Sequence, residues 1–386
     1  MNQALRVHEL LPAIGEQAGE ADRSRSVDTA VLNALRANDI MRLSGSREIG
    51  GLEASMADIG HELQAVAAQC TSTAWCLWNH LCTFHHFVAL LGPQRQDFLR
   101  DIMDRREWVC YPAGASTEIK ATPAGDELLL NGVAAFGSGA RYADWAGVVF
   151  WNADHTALSF SMADLHDPSV RIAPTWDGMS VRASATDHVH YKETPVPLDR
   201  VVPWGPRHRE QLRDLSHPVI HPRYREDWVA LSVLWLGAMA CGVARISLEE
   251  TARDIRDRVA IYGTRMAERP TLHVNLGRAQ ALIHAAEDTV FAALKETDTR
   301  IETRTLPTEA DYFRQSLAGM QAVHLCDEAM ALILRVLGGN GLREGTAFER
   351  RYRDFQAMPL HINGHIDRLT EQAGRLVLGM PTENPF

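Results

Sequence analysis

The sequence predicts an α+β fold in three successive parts: helices over 1–105, a β-sheet or small barrel over 106–215, and a helical bundle over 216–386. Apolar residues recur every three or four positions near both ends of the chain. The middle instead carries short alternating or continuous apolar runs divided by turn residues. Helices, then strands, then helices is a segregated order, which argues against alternating strand–helix units and a parallel sheet.

In the N-terminal part, the segment 71–92 reads TSTAWCLWNHLCTFHHFVALLG and is unusually rich in tryptophan and histidine for a helix. One explanation is a buried helix whose polar tips bond to the backbone. The other is the wall of a pocket, with Trp75 and Trp78 as its flat side chains. Under this second explanation, we expect one of His85 or His86 to face a substrate.

The middle part is predicted to be an antiparallel sheet running from about Trp108 to Pro203. Within it, the triplet Gly137-Ser138-Gly139 taken alone indicates a β-turn or bulge. After Trp228 the helical period returns, and three long helices are predicted before the chain ends.

The composition excludes several classes of protein. With 386 residues, 46% of them hydrophobic, the chain can bury a large core. A formal net charge of −10 argues against a nucleic-acid partner. No uninterrupted apolar run reaches the roughly 20 residues of a membrane span, so we expect no membrane partner. The six cysteines form no CxxC pair and are typical of reduced thiols, so we expect a cytoplasmic protein.

No metal site is predicted. His361 and His365 have the i, i+4 spacing of helical metal ligands, but Asp367 points off that face and no HExxH motif is present. The run Gly338-Gly339-Asn340-Gly341 follows a helix instead of a strand, which favours a helix C-cap over a nucleotide-binding loop.

Four segments carry a resemblance to a known family: FGSGARYAD (136–144), WDGMSVRAS (176–184), YGTRMAERP (262–270) and LRVLGGNGLREGTAFERRYRDFQAMPLHING (334–364). In this order they resemble the acyl-CoA dehydrogenase superfamily. In particular they resemble its two-component flavin monooxygenases, such as the 4-hydroxyphenylacetate 3-hydroxylases, secosteroid hydroxylases and dibenzothiophene monooxygenases. Two positions depart from the family pattern, since Ala134 stands where a tryptophan is frequent and Ser180 where a glycine is usual.

The resemblance separates oxygenases from dehydrogenases at one position. Dehydrogenases of this superfamily often carry a glutamate base nine residues after the arginine that corresponds to Arg353. Here that position is Ile362, whereas His361 has the spacing of the histidine used by the oxygenase members. The resemblance therefore implies that His361 acts as an acid or a base toward the substrate.

The same resemblance implies a set of flavin contacts. Ser138 is expected near flavin N5, and Arg265 at a flavin phosphate across a subunit interface. A flat apolar wall for the ring is expected from Trp145 or Trp176. The full expected set of flavin-binding residues is Ser138, Trp145, Arg182, Ser184, Arg265, Gly338 and Gly339.

We therefore expect an oxygenase component that takes reduced flavin, FMNH2 or FADH2, from a separate NAD(P)H:flavin reductase. In such enzymes reduced flavin reacts with O2 at C4a, and the hydroperoxide formed transfers one oxygen atom to an aromatic, phenolic or heteroaromatic substrate. A homotetramer is expected. Two alternatives stay open: an acyl-CoA dehydrogenase with a relocated base, and a degenerate helical scaffold that binds no flavin.

Overall fold

The computed structural model describes residues 5–112, 119–152, 154–205, 207–260 and 263–382. The predicted α+β class is confirmed, with helices at both ends and strands in the middle. The first five α-helices are α1 (Leu11–Ser24), α2 (Thr29–Ala37), α3 (Met56–Gln69), α4 (Thr71–Leu91) and α5 (Gln96–Asp104). The later ones are α6 (Arg207–Leu212), α7 (Trp228–Arg256), α8 (Pro270–Thr303), α9 (Glu309–Leu337), α10 (Ala347–Phe355) and α11 (Ile366–Val377).

The strands form one sheet between the two helical parts. They are β1 (Val109–Cys110), β2 (Lys120–Ala124), β3 (Glu127–Gly137), β4 (Trp145–Trp151), β5 (Leu158–Asp164), β6 (Val170–Ala173), β7 (Asp187–Pro197) and β8 (Val202–Pro203). The order is β6-β7-β3-β2-β4-β5-β8, with β1 beside β4. The sheet is mixed, since β4 pairs in parallel with β1 and β2. The prediction of an antiparallel sheet is therefore wrong for β4, which has these two parallel partners.

Helices α7 and α9 of the C-terminal part begin at polar side-chain caps. Asp227 accepts hydrogen bonds from the first backbone amides of α7, and Thr308 and Asp311 form a capping box at the start of α9. The axes of α7 and α9 approach closely because both contact surfaces carry glycine. A Cβ added to Gly319 would lie 2.3 Å from the carbonyl oxygen of Val233, so a larger residue there would push the helices apart.

Helix α4 lies at the centre of the molecule, packed against α3, α7 and β1. All of its residues are buried, which explains why its apolar residues follow no single face. By length and composition, α7 and α9 could each span a membrane. The most apolar window of α7 is 89% buried inside the protein, however, as in the core helix of a globular fold.

Candidate active site

The imidazole of His361 packs against two tryptophans of α4, which also contact each other. The ring centroids of Trp75 and His361 lie 5.6 Å apart at 72°, and those of Trp78 and His361 lie 4.8 Å apart at 82°. Both are edge contacts, a favourable geometry for aromatic pairs. Because α4 comes from the N-terminal part and His361 follows α10, the fold joins the two ends of the chain here.

The backbone around His361 fixes the orientation and the tautomer of its ring. His361 caps the 3-10 helix Ile362–Gly364, and its Nδ1 accepts the backbone N–H of Asn363 at 3.3 Å. The side-chain amide of Asn363 in turn donates to Ser232 Oγ of α7 at 3.0 Å. A neutral imidazole that accepts at Nδ1 carries its proton on Nε2. The geometry therefore assigns His361 as a hydrogen-bond donor through Nε2.

Burial also sets the charge of this imidazole. Desolvation among the aromatic rings lowers the pKa of His361 to about 4, although part of the residue remains exposed. The ring is therefore neutral at physiological pH. Its neighbours Leu360 and Ile362 are 73% and 61% exposed. Ile362, at the position where the dehydrogenases often carry a glutamate, therefore points away from the core.

A row of hydroxyl groups begins on the other side of Trp75. The indole N–H of Trp75 donates to Ser138 Oγ at 3.1 Å, just beyond the end of β3. Ser138 Oγ lies 3.1 Å from Thr186 Oγ1, which lies 2.7 Å from Ser184 Oγ. We call Ser138, Thr186 and Ser184 the hydroxyl row. Sequence reasoning identified Ser138 and Ser184 but missed Thr186, although it follows Arg182 in the same polar segment.

The backbone beside the hydroxyl row is strained at three residues that carry side chains. Phe136, Val181 and Ala185 have φ of 60°, 41° and 47°, in the left-handed region that favours glycine. Phe136 is also 61% exposed, which is unusual for a phenylalanine. Strain of this kind persists only where the surroundings hold it and often marks a functional site.

One of these strained residues is held by α10. The buried carboxylate of Asp354 accepts the backbone N–H of Val181 at 2.7 Å. Its neighbour Arg353 binds Asp22 of α1 with both guanidinium nitrogens, at 3.0 and 2.9 Å. The predicted flavin ligand Arg182 belongs to the same network through Asp22, at 3.7 Å. Its buried Nε has no hydrogen-bond partner among the described residues, so this guanidinium retains a donor for a ligand.

His85 and His86 lie farther along α4, roughly 10 Å or more from Trp78 at 1.5 Å per residue. His85 Nε2 contacts the carbonyl oxygen of Glu226 at 3.1 Å, and burial lowers its pKa to about 3. His86 stacks on Trp228 at 4.5 Å. The structure therefore does not bring these two histidines to the cluster around His361.

Trp145 also lies apart from the hydroxyl row. Its ring packs edge-on against Phe98 at 5.0 Å, its indole N–H donates to Glu107 at 2.7 Å, and Arg200 lies over the same pair of rings. These contacts face α5. Phe136, two residues before Ser138, instead presents an exposed aromatic ring.

A cavity of about 240 Å³ lies between α7, the end of α9 and α10, next in sequence to the predicted flavin ligands Gly338 and Gly339. Its lining includes the acidic residues Glu250 and Asp254. Gly338 ends α9 with φ of 60°, and both it and Gly339 are exposed. With its amide oxygen turned toward Arg258, Asn340 accepts from that guanidinium at 3.1 Å. Arg265 is exposed on the hairpin that follows, while Tyr262 of the same motif lies outside the described residues. Arg258 and Arg343 are the basic residues in the lining of this cavity, and sequence reasoning missed both.

A metal ion has only one candidate site in the described part of the chain. Glu48, Glu53 and His221 bring one ligand atom each within 4.8 Å of one another. Glu48 is exposed, and such acidic groups are common without an ion. His361 and His365 do not form part of this group.

Comparisons with known proteins agree with the fold. Residues 234–365 match the family model described as acyl-CoA dehydrogenase, C-terminal domain. The chain is 23% identical to a pigment production hydroxylase of Rhodococcus sp., covering 99% of this chain and 97% of that protein. It is 24% identical to the oxygenase component of p-hydroxyphenylacetate 3-hydroxylase from Acinetobacter baumannii, covering 97% and 88%.

Two solved structures show the same fold. XiaF from Streptomyces sp., solved with FADH2 and glycerol, has a TM-score of 0.88 at 22% identity, covering 98% of this chain and 96% of that one. FMN-bound dibenzothiophene monooxygenase TdsC from Paenibacillus sp. has a TM-score of 0.86 at 19% identity, covering 99% and 98%. The chain therefore has the acyl-CoA dehydrogenase fold, carries that family's C-terminal domain, and is similar over its whole length to oxygenase components of two-component flavin monooxygenases.

Proposed function

We propose that this protein is the oxygenase component of a two-component flavin-dependent monooxygenase that hydroxylates an aromatic, phenolic or heteroaromatic small molecule. It receives FMNH2 or FADH2 from a separate NAD(P)H:flavin reductase and uses O2 as its second substrate. Bound reduced flavin would supply the activation of O2, which no protein side chain provides. We place the enzyme in the cytoplasm, in keeping with six free cysteines that are all buried.

The proposal is supported most directly by the two contacts of Trp75. Its N–H donates to Ser138, and its ring packs against His361. One indole thus separates a row of hydroxyl groups from a neutral imidazole. The hydroxyl row suits the polar N5 and O4 edge of a flavin, and the imidazole suits a substrate. A flavin fits this position because the exposed Phe136 offers a flat apolar surface beside Ser138.

His361 most directly serves as a hydrogen-bond donor to the substrate. To take a proton through Nε2, the ring would have to carry its own proton on Nδ1, where Asn363 already donates. As arranged, Nε2–H can bind a phenolate oxygen, a carbonyl or a heteroaromatic nitrogen. A substrate with such an acceptor next to the carbon to be hydroxylated is therefore favoured.

The surroundings of Trp75 and Trp78 keep water away from the reacting groups. Both indoles are buried, and every residue of α4 is buried with them. Trp78 is fixed in place because its N–H donates to the carbonyl oxygen of Ser232 at 2.9 Å. Excluding water strengthens the hydrogen bonds made inside the site and limits the loss of reactive oxygen as peroxide.

The phosphate end of the flavin is proposed to lie at the cavity beside Gly338 and Gly339. Arg258 lines this cavity, and Arg265 is exposed on the hairpin that leads to α8. Guanidinium groups bind phosphate with two parallel hydrogen bonds, and an exposed one is free to reach a neighbouring subunit. We therefore propose a homotetramer in which Arg265 serves the flavin of another subunit.

One experiment tests the proposed function against the dehydrogenase alternative. The purified protein is supplied with FMN or FAD, a flavin reductase, NADH or NADPH, and a panel of phenols and heteroaromatics. We expect a hydroxylated product from at least one compound and no bleaching of bound oxidised flavin by acyl-CoA. Bleaching by acyl-CoA without any hydroxylated product would overturn the proposal.

A further inference from the structure

The donors and acceptors of the hydroxyl row fix the direction of its hydrogen bonds. Ser184 is fully buried, and Thr186 is the only partner of its hydroxyl group among the described residues. A buried hydroxyl proton needs an acceptor, so Ser184 donates to Thr186. Thr186 then donates its own proton to Ser138, its other partner in the row.

The opposite end of the row has a fixed direction as well. An indole N–H can only donate, so Trp75 is the donor and Ser138 the acceptor of the hydrogen bond between them. Ser138 therefore accepts two hydrogen bonds, one from Trp75 and one from Thr186. With both lone pairs used, its own O–H is the remaining hydrogen-bonding function and has no partner among the described residues.

We propose that Trp75 is a positioning residue, which orients the Ser138 hydroxyl so that its proton points at an acceptor on the flavin edge. This inference rests on the proposed function for the identity of the ligand. Without the indole N–H, a lone pair of Ser138 is released and its proton can turn away from the ligand. Chains of aligned hydroxyl groups also polarise one another, so losing the first donor weakens the last one.

The same indole links the two halves of the site. Its ring edge lies against His361, which is expected to bind the substrate, while its N–H orients the group expected to bind the flavin. The distance between the two ligands is thus set by one rigid side chain that is 6% exposed. A change at Trp75 is expected to affect flavin affinity and coupling together.

The test compares Trp75→Phe with a matched control, Trp235→Phe. Trp235 is fully buried on α7, and its N–H donates to the carbonyl oxygen of Met56 at 3.0 Å. Both variants lose one buried indole hydrogen bond, but only the first touches Ser138. Measured for each are the melting temperature, the dissociation constant and visible spectrum of bound oxidised FMN and FAD, and the ratio of hydroxylated product to H2O2.

We expect similar losses of thermal stability in the two variants, because each loses one buried hydrogen bond. Only Trp75→Phe is expected to weaken flavin binding, by roughly 2- to 10-fold, which corresponds to one neutral hydrogen bond. It should also shift the spectrum of the bound flavin and raise the share of H2O2. Equal flavin affinity and equal product ratio in the two variants would overturn the proposal.

A Ser138→Ala background separates the hydrogen bond from the loss of ring area. If Trp75 acts through Ser138, adding Trp75→Phe to that background leaves flavin affinity unchanged. If Trp75→Phe lowers flavin affinity equally with and without the Ser138 hydroxyl, Trp75 does not act by orienting Ser138. A wild-type protein that binds flavin but hydroxylates nothing would contradict the proposed function alone, because the flavin titrations still decide the role of Trp75. A wild-type protein that binds no flavin would overturn both.

Discussion

Replacing His361 by asparagine removes the imidazole and its ring contacts while keeping its capping role. An asparagine side-chain oxygen can still accept the backbone N–H of Asn363, and asparagine is among the best residues at a helix N-cap. His361→Ala loses that bond as well, which should lower the free energy of unfolding by about 0.5–2 kcal/mol. Both variants lose the Nε2–H donor, so both should lose roughly 10²- to 10³-fold in product formation, the usual effect of removing one preorganised hydrogen-bond donor.

The assay measures hydroxylated product, H2O2 and thermal stability on one preparation of each variant. Flavin affinity should change little, because no contact joins His361 directly to the hydroxyl row. More of the oxygen consumed should appear as H2O2 in both variants. The reasoning would be refuted by an asparagine variant with a normal ratio of product to H2O2, or by losses that follow the unfolded fraction alone.

Three further predictions concern acid stability, the strained loop and assembly. Burial lowers the pKa of His80 and His85 to about 4 and 3, so the unfolded chain binds protons below pH 6.5 that the folded chain does not. Each histidine should therefore contribute a loss of roughly 2–3 kcal/mol as pH drops from 6.5 to 4.5, opposed by the buried carboxyl groups of Asp298 and Asp354, whose pKa values burial raises to about 6 and 7. In urea unfolding, His85→Gln should lose less stability than the wild type over that range, and equal losses would contradict this. Asp354→Ala leaves the buried amide of Val181 without its acceptor and should cost about 1–3 kcal/mol in urea unfolding, whereas an unchanged midpoint would show that this carboxylate does not hold the loop. Arg265→Ala should weaken flavin binding without changing the tetramer seen by light scattering, and a wild-type monomer that binds flavin tightly would disprove the shared site.

The pH dependence of the reaction gives an independent check on His361. Since burial lowers its pKa to about 4, the ring stays neutral throughout the range from pH 5.5 to 8. The ratio of product to H2O2 should therefore be constant over that range if His361 controls it. A fall with a midpoint between pH 6 and 7 would show an imidazole that titrates near its ordinary pKa.

The fold was predictable because its long elements carry strong local patterns. Helices α7 and α9 repeat apolar residues over many turns, and the short strands are separated by clear turn residues. The parallel pairing of Val109 with Trp145 has no such signal, since it joins segments that are separate in sequence. Strand order is decided by which apolar faces meet in the core.

The candidate site was predictable only in part, for a similar reason. The spacing after Arg353 identifies His361, and the FGSG segment identifies Ser138. Nothing local distinguishes Trp75 from His85, because both belong to one aromatic and histidine-rich helix. The fold decides between them: Trp75 lies beside the end of β3, whereas His85 points at the loop around Glu226.

The proposed reaction inserts one atom of O2 into an aromatic substrate. The most direct measurement is mass spectrometry of the product formed under ¹⁸O2, with reduced flavin supplied by a reductase or by dithionite. We expect the product to gain one ¹⁸O atom and the other atom to appear in water. A product that takes its new oxygen from water, or oxygen consumption that yields only H2O2 with every aromatic substrate offered, would contradict it.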